Sequence, residues 1–219
     1  MALTDKLTAI GDAIRSKTGG SDLLTLDEMP QEIQSIQTGG GGTSEELDTL
    51  IVIESVDSST SITKYETQSN GSIREYAFCY CYSLTQVDIP NISSVKDNAF
   101  YFCKGLEQIE LPSVKLLGNN AFSYASNLNK IVVQGNATQI GTKCFNQTSL
   151  TALVLSGSTA VPTLLSSSAF SNTPIADGTG YIYVPAALIE QYKVATNWAT
   201  YASQFRAIED YPEICGGDA

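Results

Sequence analysis

The residue types that carry most protein chemistry are sparse in this sequence, which contains five cysteines and no histidine. Histidine is the commonest general base and a member of the Ser-His-Asp and Cys-His arrangements, so those arrangements are excluded. A metal site at Cys79 and Cys81 is disfavoured, because no second closely spaced cysteine pair could complete it. We therefore predict no catalytic residues, no metal and no cofactor, and we expect the protein not to be an enzyme.

Two of the cysteines hold equivalent positions, since Cys81 and Cys103 each follow a phenylalanine by three residues. The favoured interpretation is that both are small, buried and reduced, because free cysteine behaves as a small hydrophobe. The alternative is a disulfide between them, which requires a geometry that spacing alone does not define.

Two carboxylates also share an offset, since Asp88 and Glu110 each lie ten residues after a phenylalanine. On neighbouring strands they would stand about 5 Å apart. Like charges so placed are mildly destabilising, and a Ca²⁺ ion or a basic ligand would relieve the repulsion. A solvated pair without a ligand is the simpler hypothesis.

These residues belong to a sequence repeat, which determines where they lie in the fold. Its phenylalanines are spaced by 22, 22, 23 and 25 residues, within the roughly 20–29 expected of leucine-rich repeats. Apolar residues recur five positions before each phenylalanine and about six after it, and a period-two apolar pair then predicts one short strand per unit. Stacked units would share one core, which predicts a solenoid with a parallel sheet. The phenylalanines are Phe78, Phe100, Phe122, Phe145 and Phe170, and the residues five before them are Ile73, Val95, Leu117, Ile140 and Leu165.

The first two units resemble the BspA-type leucine-rich repeats of bacterial and protozoan surface proteins. They are IREYAFCYCYSLTQVDIPN and VKDNAFYFCKGLEQIELPS, beginning at Ile73 and Val95. The resemblance covers about residues 73–208 and implies a solenoid of short parallel strands in a right-handed coil, used for adhesion or recognition, with no shared catalytic residues. The chain departs from the pattern at Cys144, which replaces the usual alanine, and at Phe170, whose unit lacks the following leucine.

Composition shifts along the chain predict six segments. They are an N-terminal helical segment for attachment or oligomerisation (1–38), a glycine-rich linker (39–46), an N-terminal β cap with strands at 47–55 and 60–67 (47–72), the leucine-rich repeats (73–175), a C-terminal strand-helix cap (176–211) and a flexible tail (212–219). In the helical segment, apolar residues recur at helical spacing and would mediate docking or oligomerisation. They are Leu3, Leu7, Ile10 and Ile14 in a first helix, and Met29, Ile33 and Ile36 in a second.

The stretch LTAIGDAIRSKTGGSDLLTLDEMPQEIQSI, near the start, resembles the N-terminal segment of tail and baseplate accessory proteins from phages and prophages of Gram-positive bacteria. The resemblance implies attachment to other virion proteins or self-association, with a trimer favoured. A plain helical hairpin with no partner remains the alternative.

Charge and hydropathy restrict the partners. A net charge of −11 disfavours nucleic acid, which needs clustered lysine and arginine. No apolar run approaches the roughly 18 residues of a membrane span, so no membrane insertion is expected. The start carries Asp5 and no hydrophobic stretch, which is untypical of a secretory signal peptide. We expect the protein in a virion or, alternatively, on the bacterial cell surface.

Two exposed columns are candidate binding surfaces. The first is the outward side of the predicted sheet, on the concave face, and the second stands two residues after successive phenylalanines. For the first column the simpler alternative is a solvated sheet that binds nothing. For the second it is an aromatic ladder that stacks only on itself, and we favour this alternative over a binding role. The sheet column consists of Gln86, Asp88, Gln108, Glu110 and Lys130, and the aromatic column of Tyr80, Phe102 and Tyr124.

The functional hypothesis is a structural or recognition protein of a phage or prophage tail, baseplate or fibre. Its ligand would be a protein or a cell-surface glycan. The alternative is a BspA-like cell-surface adhesin that binds host proteins or other cells.

Overall fold

The computed structural model describes residues 62–214, and the structural statements below concern that part of the chain. It contains twelve short strands, all paired in parallel. They are β1 (Lys64–Glu66), β2 (Gly71–Ile73), β3 (Gln86–Asp88), β4 (Ile92–Val95), β5 (Gln108–Leu111), β6 (Leu116–Leu117), β7 (Lys130–Val133), β8 (Gln139–Ile140), β9 (Ala152–Val154), β10 (Thr163–Leu164), β11 (Tyr181–Val184) and β12 (Phe205–Ala207).

From β4 to β11 successive strands alternate between two sheets, because each repeat adds one strand to each of them. We call β5-β7-β9-β11-β12 the front sheet and β2-β4-β6-β8-β10 the back sheet. The pair β1-β3 precedes the front sheet, and β3 contacts β5. The predicted leucine-rich-repeat type of solenoid, with short stacked parallel strands, is therefore confirmed.

Helices are few and lie mainly near the C-terminal end. The one α-helix of the described region is α1 (Ile189–Val194), and the 3-10 helices are Ser167–Phe170, Ala186–Leu188, Trp198–Tyr201 and Ile208–Asp210. None of the helices between residues 62 and 214 is long and apolar enough to cross a membrane.

The core is organised around a column of stacked rings, one from each coil. All five repeat phenylalanines are fully buried, and each ring lies 5.1–6.1 Å from the next, centroid to centroid. Tyr65 continues the column at one end, 4.6 Å from Phe78, and Trp198 continues it at the other, 6.0 Å from Phe170. This phenylalanine spine packs every coil on its neighbours, as stacked repeats require.

The prediction for the last unit was wrong at Leu165, which is 43% exposed. The adjacent Leu164 takes the inward position, because it lies opposite Ile140 in the back sheet. Ser167–Phe170 then forms a 3-10 helix. Phe170 therefore lies six positions after the inward Leu164, where the other units have five, and the extra residue is accommodated in this turn.

The two ends of the described region extend the sheets. Lys64 pairs with Gln86 in parallel, so β1 adds one more strand to the stack beyond β3. The predicted strand at 47–55 lies outside the described residues. At the other end β11 pairs with β9, and β12 pairs with β11, so the strand-helix segment continues the front sheet.

Candidate functional site

The predicted sheet column lies on the outer side of β3, β5 and β7. Gln86, Asp88, Gln108 and Glu110 are exposed, and Lys130 is partly exposed. The alternation that exposes them also buries Ile109 and Leu111 between them. The strand register places Gln108 opposite Lys130 and Glu110 opposite Val132. Their role in binding stays a prediction.

This polar column begins one coil earlier than the sequence indicated. Lys64 lies opposite Gln86 and Glu66 opposite Asp88, and the Lys64 and Glu66 side chains form an ion pair. Because the period-two pattern at β1 is short, Lys64 and Glu66 were not assigned to the sheet column from the sequence.

The other half of the front sheet is covered rather than open. Its outer residues Val132, Val154 and Tyr183 are buried. We call residues 208–214 the C-terminal strap; it packs on this patch through Ile208, Tyr211 and Ile214. The first residues of the predicted flexible tail thus belong to a packed segment.

The aromatic column forms a stack on the turns that follow the phenylalanines. The Phe102 ring lies 5.2 Å from that of Tyr80 and 4.5 Å from that of Tyr124, with interplanar angles of 28° and 5°. Tyr101 meets all three rings edge-on at 4.8–5.8 Å, and Tyr82 meets Tyr80 at 6.1 Å. We call these five residues the aromatic cluster. The stacking expected of a self-stacking ladder is therefore present.

The backbone at this column is unusual for aromatic residues. Tyr80, Phe102 and Tyr124 have φ of 64°, 61° and 62°, in the left-handed region. That conformation costs a non-glycine residue about 1–2 kcal/mol, and asparagine is better suited to it. Asn172 holds the equivalent position in the last unit, with φ of 58°. Each stacked ring pair contributes about 0.5–1.5 kcal/mol, so stacking offsets much of this cost.

Side chains of the cluster remain partly in solvent. Tyr80 is 42% exposed and Tyr82 is 39% exposed. The Lys104 ammonium lies 5.4 Å from the ring centroids of both Tyr82 and Phe102. Desolvation and, secondly, the neighbouring phenols of Tyr80 and Tyr124 raise the pKa of Tyr101, so its hydroxyl stays protonated and able to donate. Sequence reasoning missed Lys104, because its position relative to the rings follows from the coil-to-coil stacking.

The four cysteines between residues 62 and 214 form no disulfide. Cys81 and Cys103 are free and buried, as the favoured interpretation predicted, and the alternative disulfide is absent. The Cys103 thiol donates to the carbonyl of Phe78 at 3.0 Å, and burial raises its pKa. A thiol held protonated in this way is a poor nucleophile.

Residues 62–214 contain no group of three or more histidine, cysteine, aspartate or glutamate residues placed to hold a metal ion. The predicted docking residues of the N-terminal helices, among them Leu3, Ile14 and Ile36, lie outside the described residues.

A parallel solenoid with short stacked strands and one phenylalanine per coil defines a protein of the leucine-rich-repeat class. The family described as BspA type leucine rich repeat region matches residues 51–177 in six copies, more than half of the 219 residues. The chain belongs to this family of leucine-rich-repeat proteins. Such repeats generally mediate protein binding, are generally non-enzymatic and are typically surface-associated. No match to the chain was found among curated proteins.

Proposed function

We propose that this chain is a non-enzymatic recognition protein of a phage or prophage tail, baseplate or fibre, whose repeats bind a host or protein ligand. The observation that carries the recognition role is the aromatic cluster, in which partly exposed rings occupy left-handed turns in consecutive coils. Aromatic side chains provide a large contact area and have few rotatable bonds to order on binding. The ligand in this proposal is a protein or a cell-surface glycan.

The N-terminal sequence supports the tail assignment. Residues 7–36 resemble the N-terminal segment of tail and baseplate accessory proteins, and the predicted glycine-rich linker, with Gly39 to Gly42, follows in the sequence. The segment would join the repeats to other virion proteins or to copies of itself, with a trimer favoured.

Light scattering of the full chain and of a chain starting at Gly41 tests the assembly role. We expect a trimer that becomes a monomer on truncation. A monomer in both cases would exclude self-association, and the segment would then have to act by docking on another protein.

Immunogold labelling tests the location. An antiserum against the protein would be applied to phage particles induced from the organism that encodes the chain, and to its intact cells. We expect gold at the tail. Label on intact uninduced cells and none on particles would contradict the tail assignment.

A cell-surface adhesin of the BspA kind is the second candidate. The observation that favours it is the family itself, because its repeats are typically surface-associated. The immunogold experiment separates the two candidates, since the recognition surface would be the same in both.

A further inference from the structure

At its centre the aromatic cluster exposes a ring edge rather than a ring face. Both faces of Phe102 are covered, one by the Tyr80 ring at 5.2 Å and the other by the Tyr124 ring at 4.5 Å. A sugar ring that stacks on an aromatic residue requires an open face, which the centre of this stack does not provide. The central ring can therefore offer a ligand only its edge, and the neighbouring tyrosines add phenol hydroxyls.

These groups share one electrostatic character. The edge of an aromatic ring carries partial positive charge, and a phenol hydroxyl can donate a hydrogen bond. Lys104 adds a full positive charge, and its exposed ammonium forms no ion pair with any residue between 62 and 214. All three features attract oxygen atoms with negative or partial negative charge.

The outer surface of β1, β3 and β5 carries carboxylates. Glu66 and Asp88 lie side by side there, and Glu110 holds the position equivalent to Asp88 in the next coil. Lys64, which pairs with Glu66, and Lys130 offset part of this negative charge. An acidic partner would be repelled there and attracted to the turns that carry the cluster. The carboxylates therefore make the aromatic cluster, rather than this surface, the better site for an acidic ligand.

The cluster is also ordered before any ligand arrives. Tyr80 and Tyr101 each contact at least three other rings of the cluster, so their rotamers are restricted. Rings that are already ordered lose little entropy on binding, which favours affinity.

Building on the proposed recognition role, we propose that the aromatic cluster and Lys104 bind an acidic peptide segment of a partner protein. A carboxylate of the segment would pair with the Lys104 ammonium. Its backbone carbonyls would accept hydrogen bonds from tyrosine hydroxyls at the ring edges.

The experiment uses the full chain and a synthetic array of random-sequence peptides. Phe102→Asn removes the central ring and keeps a residue suited to the left-handed turn, as Asn172 shows in the last unit. Lys104→Gln removes the charge, and Lys115→Gln, at an exposed lysine of another turn, is the matched control. Circular dichroism and the fluorescence of Trp198 verify that each variant is folded.

We expect the retained peptides to be enriched in aspartate and glutamate. Phe102→Asn should weaken the best peptide about tenfold or more, as loss of a central aromatic contact does. Lys104→Gln should weaken it about two- to fivefold and reduce its sensitivity to salt, whereas Lys115→Gln should change neither.

The proposal would be overturned if the peptides bound on the array were not enriched in aspartate and glutamate. It would also be overturned if the wild type and the Phe102→Asn variant bound the best peptide equally. A glycan array bound by the wild type and lost in Phe102→Asn, with no peptide retained, would make the site a carbohydrate site and also overturn it. None of these results affects the tail location, which the immunogold experiment tests separately.

Discussion

The phenylalanine spine predicts a large loss of folding stability when a ring is removed from its middle. Phe100 occupies the middle of the spine, fully buried, with the rings of Phe78 and Phe122 each 5.1 Å away. Phe100→Ala would remove one ring and both stacking contacts. It would also leave a cavity between two coils, which cannot close because neighbouring strands are fixed by the two sheets.

The magnitude follows from burial and stacking. Replacing a buried phenylalanine by alanine costs about 3–5 kcal/mol, and each lost ring pair adds about 0.5–1.5 kcal/mol to the burial contribution. We therefore expect the upper part of the range, about 4–5 kcal/mol, for Phe100→Ala. With a denaturant dependence of about 2 kcal/mol per molar urea, the midpoint should fall by about 2 M.

Urea unfolding followed by circular dichroism and by the fluorescence of Trp198 provides the assay. Trp198 terminates the spine, so it reports whether damage at Phe100 is transmitted along the coils. Tyr76→Asn is the control, because Tyr76 is 55% exposed and has φ of 61°. A midpoint that falls no further for Phe100→Ala than for Tyr76→Asn would refute the continuous spine.

Three further predictions concern other parts of the described region. Gly157→Ala should lower the free energy of unfolding by about 2 kcal/mol or more in a urea titration, because the added Cβ would overlap the Gln134 carbonyl of the preceding coil. Burial raises the pKa of the Cys144 thiol, so the unfolded state loses that proton first as the pH rises above about 8.5. Stability should then fall with rising pH by up to about 1.4 kcal/mol per pH unit, and Cys144→Ala should reduce this slope in titrations between about pH 7 and pH 10. Tyr211→Ala should remove the ring that lies 5.4 Å from Tyr183, lower stability by about 1–2 kcal/mol and increase the binding of a hydrophobic dye.

Much of the fold could be predicted because every repeat unit must satisfy the same packing requirement. Each coil must bury one phenylalanine and one strand face, so errors at a single position do not change the result. Leu165 shows the limit of this reasoning. Two leucines stand side by side there, and only the strand register, with Leu164 opposite Ile140, decides which one points inward.

The candidate surfaces were less predictable, since they depend on contacts between distant parts of the chain. Spacing alone indicated that Tyr80, Phe102 and Tyr124 form a column, and the rings do stack. The left-handed backbone and the ammonium of Lys104 above the rings follow from turn geometry that spacing does not encode. The strap was missed because its apolar residues are few and lie far along the chain from the strands that they cover.

The central claim is that the aromatic cluster, rather than the sheet column, is the recognition surface. Its most direct test compares the binding of labelled full-length protein to cells of the organism that encodes it, for the wild type, Phe102→Asn and the double variant Asp88→Asn, Glu110→Gln. Circular dichroism would verify that the variants are folded. We predict that Phe102→Asn loses binding and that the double variant keeps it. Loss of binding in the double variant, with binding by Phe102→Asn unaffected, would contradict the account and assign recognition to the sheet column.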